Sequence, residues 1–176
     1  MINRKRILEA EKNFKMYLKE GLIKKQNSDV AYEMYLKNSD ISLKLSQKLI
    51  KDDLKPYLWV IVCSYYSMFY IANAVLLKMG YKTSHKIVHK VTSDSLIVLV
   101  LNKLKKGLLE EYENIRDDAL EISSMKAEYI INSYYNELEK RSRFQYEMSE
   151  EIKKKKAETS LERAKEFVFE MRKLLK

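Results

Sequence analysis

Arginine and aromatic side chains stand close together in one short run near residue 140. The run 140–146 reads KRSRFQY, and it joins two guanidinium groups to two aromatic rings. Guanidinium groups bind phosphate through paired hydrogen bonds, and aromatic rings stack on unpaired bases. We therefore predict that Arg141, Arg143 and Tyr146 contact a nucleotide or a nucleic acid. The structural alternative is that the arginines form interhelical ion pairs with neighbouring glutamates while the rings lie in the core.

The two histidines of the chain, His85 and His89, are four residues apart. On a helix both would face the same side, which is an acceptable spacing for two metal ligands. However, no Asp or Glu lies within four residues of either histidine, and the H-E-x-x-H pattern of zinc proteases is absent. We therefore predict no metal and no cofactor, and we interpret His85 as a polar residue in the first turn of its helix.

The single cysteine and the three glycines exclude several kinds of catalytic or phosphate-binding site. Cys63 has no second cysteine in the chain with which to form a disulfide, and it lies in an apolar segment typical of inert packing thiols. The glycines are isolated at positions 21, 80 and 107. A Gly-rich phosphate-binding loop and a G-x-S-x-G nucleophile turn are therefore both excluded.

The charge of the chain indicates an anionic partner. It carries 34 Lys and Arg against 25 Asp and Glu, a formal net charge of +9. Residues 1–27 contain eight of the basic residues and only three acidic ones. Such a surface suits nucleic acid or another polyanion. The alternative is that the charge only keeps the protein in solution.

The elements that must position these residues are helices. With only three Gly and one Pro in 176 residues, the turns of a sandwich, barrel or parallel sheet are not available. We expect an all-α bundle and no strands, with Gly21, Ser28, Pro56 and Ser149 marking helix ends and Thr83 or Ser84 capping the fourth helix. The expected helices cover about residues 4–20, 28–51, 56–79, 84–105, 108 or 115 to 145, and 150–175.

The segment 56–77 contains no charged residue and is long enough to span a bilayer as a helix. Its polar serines and mid-segment tyrosines favour a buried central helix instead. The basic N-terminal residues are followed at once by Glu9 and Glu11 rather than by an apolar run, so no secretory signal is expected. We therefore predict a cytoplasmic protein with no membrane partner.

The central segment resembles a known family. Residues 64–77 read SYYSMFYIANAVLL and are followed by Gly80 and by Ser84-His85. This is similar to the archaeal and bacterial HEPN-domain proteins, whose pattern is roughly S-Y-Y-(A/S)-M-(F/Y)-H-A-A-x-A-L-L, then Gly, then (S/T)-H. The resemblance covers about residues 36–176. It predicts a HEPN-like bundle over 36–176 and an N-terminal helical extension over 1–35.

The resemblance implies an up-and-down bundle of four to five core helices, usually a homodimer, that binds RNA or a nucleotide. It also implies a minimal nucleotidyltransferase as partner, in a toxin–antitoxin or defence module. The central helix would supply core or dimer-interface residues, and the binding set would include His85. The residues of the central helix expected in this role are Tyr65, Tyr66, Phe69, Tyr70 and Asn73.

Active HEPN ribonucleases carry an Arg followed four to six residues later by a His. Here Arg141 is present, but Tyr146 stands where His is expected. Tyrosine, with a pKa near 10, is a poor general base at neutral pH. The motif predicts a degenerate site that binds RNA or a nucleotide. The alternatives are a weak metal-independent ribonuclease toxin and a purely structural helical dimerisation protein, so whether the chain is an enzyme stays open here.

Overall fold

A computed structural model describes the backbone of residues 2–135 and 149–176, and the side chains of residues 2–124 and 149–176. The described residues form six α-helices, as the all-α prediction requires. They also form one antiparallel two-stranded sheet that the sequence did not predict. The helices are α1 (Arg4–Glu20), α2 (Asp29–Leu49), α3 (Tyr57–Lys78), α4 (Val88–Val100), α5 (Lys106–Tyr135) and α6 (Glu150–Lys173), and the strands are β1 (Ile23–Lys25) and β2 (Tyr81–Thr83).

Four helix ends lie where the sequence predicted them. Gly21 ends α1 in the left-handed region at φ 70°, and its N–H donates to the Tyr17 carbonyl. The hydroxyls of Ser28 and Ser149 accept the N–H groups of residues three positions later, at the starts of α2 and α6. Pro56 stands immediately before α3. These local signals are strong because each end needs a specific backbone conformation or side-chain acceptor.

Helix α3 is the centre of the bundle, packed by α2, α5 and α6 and contacted by α4. Among the described residues it is the one helix long and apolar enough to cross a membrane. However, 83% of its most apolar window is buried inside the protein. Its neighbours bury most of its circumference, as expected for a core helix that is apolar all round.

Serines allow α2 and α3 to pack closely as an antiparallel pair. The Ser46 and Ser64 hydroxyl oxygens are 2.7 Å apart, and both residues are fully buried. Nearer the other end of the pair, the Ser39 hydroxyl donates to the carbonyl of Ser67 at 2.8 Å. Each buried hydroxyl is thus hydrogen-bonded within the helix pair, which avoids the cost of an unsatisfied polar group.

The fourth helix begins later than predicted. We expected Thr83 or Ser84 to cap a helix over 84–105, whereas α4 begins at Val88 after Ile87, which has φ 41°. The reason is tertiary: Thr83 pairs with Ile23 in the sheet, and the Ser84 N–H donates to the Leu22 carbonyl. The predicted end of the fifth helix at residue 145 lies outside the described residues.

Helix α1 is tied to α4 through a fully buried carboxylate, Asp94. Asp94 Oδ2 accepts from the Tyr17 hydroxyl at 2.8 Å and from the Asn13 amide at 3.0 Å. Arg6 Nη2 lies 2.6 Å from Asp94 Oδ1 and 2.7 Å from Glu113 Oε1 on α5. The division of the chain at residue 35 stays a prediction; helix α2 runs through that position.

Candidate functional site

An open cleft of about 540 Å³ lies where the small sheet meets α2, α3 and the start of α4. The two strands determine its position. Strand β1 follows the end of α1 and strand β2 follows the end of α3, and each strand is only three residues long. The sheet therefore brings residues near 24 and near 82 to one wall. The polar and aromatic residues that matter most there are Lys24, Lys82, Ser84, His85, Tyr35 and Phe69.

Two lysines face each other across the sheet in this wall. Lys24 and Lys82 are direct partners in the antiparallel register, and both line the cleft. Like charges directly opposite one another destabilise a sheet. Neither lysine forms an ion pair with a described residue, and the described lining of the cleft contains no Asp or Glu. An anion placed between them would remove the repulsion.

His85 lies in the lining of the same cleft, as an exposed residue of the loop between β2 and α4. The loop is anchored by Ser84, whose side-chain oxygen accepts from the Lys86 N–H at 3.3 Å. Ile87 closes the loop in the left-handed region, a rare conformation for a β-branched residue. Such local strain is most often found at functional sites. The loop thus presents a third ionisable side chain to the two lysines.

Aromatic rings form the apolar part of the cleft. Phe69 is buried, and Tyr35 stacks on Tyr70 with ring centroids 6.3 Å apart. Burial raises the pKa of Tyr35, so its phenol stays neutral at physiological pH. Neutral ring faces beside cationic side chains are the combination that binds a base and its phosphate together.

Asn73 links Phe69, in the aromatic part of the cleft, to strand β2, which carries Lys82. Its side-chain NH2 donates to the Phe69 carbonyl at 2.9 Å, and its oxygen accepts from the Thr83 hydroxyl at 2.7 Å. The amide also donates to Thr92 Oγ1 on α4 at 3.2 Å. Because Asn73 is 2% exposed, these bonds satisfy it without water and hold α3, β2 and α4 together behind the cleft.

A buried aromatic cluster lies next to the cleft, around His89. The Tyr65 hydroxyl and His89 Nδ1 are 2.7 Å apart, and the His89 and Phe69 ring centroids are 4.7 Å apart. Burial and the charge of Arg116 lower the pKa of His89, while burial raises the pKa of Tyr65 far above its usual value. Both side chains are therefore neutral at pH 7. His89 lies in α4, whereas His85 lies in the loop before it, so the prediction that His85 stands in the first turn of its helix is wrong.

The residues predicted on the central helix fall into two groups. Tyr65, Phe69 and Asn73 are buried in the core, whereas Tyr66 and Tyr70 are only partly buried on the outer side of α3. The binding residues predicted near residue 140, Arg141, Arg143 and Tyr146, lie outside the described residues.

Metal-binding chemistry has no cluster to support it in the described part of the chain. No group of three or more His, Cys, Asp or Glu side chains is placed there to hold a metal ion. The described lining of the cleft instead contains Lys24 and Lys82 and no Asp or Glu, which suits an anionic ligand. The arrangement can bind phosphate through Lys24, Lys82 and His85 while the partly exposed Tyr35 contacts a ring of the ligand.

Comparison with known proteins gives one family. The family model of the HEPN domain matches residues 32–174, which is most of the chain. No curated protein and no solved structure matches it significantly.

Proposed function

The chain belongs to the HEPN-domain family, and from that premise we propose that its cleft binds the base and phosphate of a nucleotide unit, free or within RNA. Membership of the family supports a nucleotide- or RNA-related function. The observation that carries the proposal is the repulsive pair Lys24–Lys82 in the wall of the cleft. A cross-strand pair of like charges costs stability in the free protein, and a bound phosphate would reverse that cost.

The chemistry divides between two sides of the cleft. Lys24, Lys82 and His85 supply the donors for a phosphate, and Tyr35 supplies the ring face for a base, next to the buried Phe69. Stacking a base on an aromatic side chain contributes about 1–3 kcal/mol and tolerates every base. Asn73 fixes the position of the aromatic side relative to strand β2, because it is hydrogen-bonded to both Phe69 and Thr83.

The test compares adenosine 5′-monophosphate with adenosine, which lacks the phosphate. In calorimetric titrations at low salt, Lys24→Gln/Lys82→Gln is expected to bind the monophosphate about tenfold more weakly, a change of about 1.4 kcal/mol. Its adenosine affinity should be unchanged. The same variant should be more stable to urea by about 0.2–1 kcal/mol, because the cross-strand repulsion is gone.

The matched control is Lys44→Gln/Lys48→Gln on α2. These two exposed lysines lie one turn apart on α2 and do not line the cleft, so the control removes the same charge away from the cleft. If both variants lose the same monophosphate affinity, or if the wild-type protein does not prefer the monophosphate over adenosine, the cleft is not the phosphate site and the proposal is wrong.

We also propose that the protein forms a homodimer. A homodimer is supported by exposed apolar side chains on α2 and α3: Met34, Ile41 and Trp59 are 48%, 51% and 48% exposed. Tyr66 and Tyr70 lie partly exposed on the same helix as Trp59. We call these five residues the α2–α3 outer face. A minimal nucleotidyltransferase as second partner, in a toxin–antitoxin or defence module, is supported by the family alone.

A further inference from the structure

We propose that the outer face of α1 is a binding track for single-stranded RNA that leads into the cleft. The residues of the track are Arg4, Lys12, Lys15 and Lys19. The cleft and the track are different surfaces, so this inference goes beyond the proposed function. It rests on that function only for the end of the strand that enters the cleft.

The spacing of the track residues places them on one side of the helix. Together with Leu8, they stand at positions i, i+4, i+8, i+11 and i+15 of α1. Residues three and four apart are neighbours on a helix surface. All four cations are exposed, so their side chains can reach an extended ligand that lies along α1.

The charges of the track are not used inside the protein. None of the four cations forms an ion pair or hydrogen bond with a described residue. Arg6, on the same helix, is in contrast paired with Asp94 and Glu113. The helix therefore carries one structural arginine and, separately, a row of exposed cations that no described residue neutralises.

The acidic residues of α1 border the track and do not interrupt it. Glu9 and Glu20 fall on the neighbouring side of the helix, and Glu11 lies at the opposite edge, one turn before Lys15. Their carboxylates would confine a polyanion to the row of cations between them. This pattern is a stripe rather than a general basic surface.

The last residue of the track, Lys19, precedes the cleft-lining Gly21 by two positions. Helix α1 ends at Gly21, which itself lines the cleft, and Lys24 follows three residues later. A helix of 17 residues is about 25 Å long, so a ligand that contacts Arg4 and also enters the cleft must be a polymer. Single-stranded RNA fits because it repeats a phosphate along its length and offers unpaired bases to Tyr35.

The test measures binding of oligoadenylate of about 12 nucleotides, a site size typical of single-strand binding domains, and of adenosine 5′-monophosphate. The variant Lys12→Gln/Lys15→Gln/Lys19→Gln removes three cations of the track. The matched control, Lys37→Gln/Lys44→Gln/Lys48→Gln, removes three exposed lysines of α2. Binding is followed by fluorescence anisotropy from about 50 to 200 mM salt, where phosphate contacts weaken steeply.

The track variant should bind the 12-mer at least about tenfold more weakly at low salt. Its slope of log affinity against log salt should fall by about two, since each phosphate contact of a single strand contributes about 0.7. Its affinity for the monophosphate should not change, and the α2 control should bind both ligands like the wild-type protein.

Three results would overturn the track. The first is an equal loss of 12-mer affinity in the α1 and α2 variants, and the second is a wild-type 12-mer affinity no higher than that of the monophosphate. The third is phosphatidylserine vesicle binding that needs the three α1 lysines while 12-mer binding does not, which would make this face, with its exposed Leu8, a membrane surface. Failure of the proposed cleft looks different: the monophosphate would not bind, yet the 12-mer would still depend on the track.

Discussion

His89 is held in surroundings that disfavour its charged form. It packs against Tyr65 and Phe69, and both burial and the charge of Arg116 lower its pKa. The unfolded chain has no such surroundings, so there the imidazole titrates near 6.5. Between the lowered folded pKa and 6.5, the unfolded state binds more protons than the folded state does.

The folded state therefore loses stability as the pH falls below 6.5. The stabilising contribution of a neutral His89 is complete above pH 6.5 and is lost as the pH falls through the folded pKa. We therefore expect the melting temperature to fall between pH 7.5 and pH 5.5, and to fall less in His89→Gln. Thermal unfolding by circular dichroism measures both curves.

His85→Gln is the control for this experiment, since the chain has only these two histidines. His85 is exposed at the cleft and is not part of the cluster around Tyr65. Its substitution should leave the pH profile of stability as in the wild-type protein. If the two variants respond alike to acid, the cluster around His89 is not the cause of the acid sensitivity.

At the scale of elements, the docking of α1 depends on one carboxylate of α4. Removing the Asp94 side chain would leave the Arg6 guanidinium, 21% exposed, without one of its two carboxylate partners and the Tyr17 hydroxyl without its acceptor. Loss of one member of a buried charge network typically destabilises by about 3–5 kcal/mol, whereas apolar replacement of both members is often neutral.

We therefore expect Asp94→Ala to lower the free energy of unfolding by about 3 kcal/mol, measured by urea denaturation. The double variant Arg6→Met/Asp94→Leu should recover a large part of that loss. If the double variant is as unstable as the single one, the unpaired charge of Arg6 is not the source of the destabilisation.

Helix boundaries could be predicted where they depend on local chemistry. Gly21 and Ser28 end and begin helices through their own backbone and side-chain properties, and the structure confirms both. The sheet could not be predicted, because three-residue strands carry no readable alternation and exist only through pairing with each other. The start of α4 was missed for the same reason, since the Thr83 hydroxyl binds Asn73 instead of capping a helix.

The candidate cleft could be predicted only in part. His85 was chosen from the sequence, and the structure places it in the cleft lining. Lys24, Lys82 and Tyr35 were not chosen, because each is an ordinary residue type in a Lys- and Tyr-rich chain. They become candidate binding residues only because the sheet register pairs the two lysines and because Tyr35 stacks on Tyr70. These contacts join positions that are far apart in the sequence.

At the scale of the whole molecule, charge and apolar surface predict opposite responses to salt. RNA bound through Lys24, Lys82 and the α1 track should dissociate as salt rises, because counterions replace the protein at the phosphates. A homodimer formed through the α2–α3 outer face should persist, because apolar burial is not screened by ions. The two proposals are thus separable in one salt series.

We expect the wild-type protein to be a dimer of the 21.0 kDa chain by light scattering at both low and high salt. Ile41→Asp should convert it to the monomer, because the aspartate would have to be desolvated in the interface. Its melting temperature, extrapolated to low protein concentration, should change little, since Ile41 is 51% exposed within one chain. Leu54→Asp is the matched control: Leu54 is 88% exposed in the turn between α2 and α3, and its variant should remain dimeric. A wild-type monomer, or dissociation in both variants, would show that this face does not join two copies.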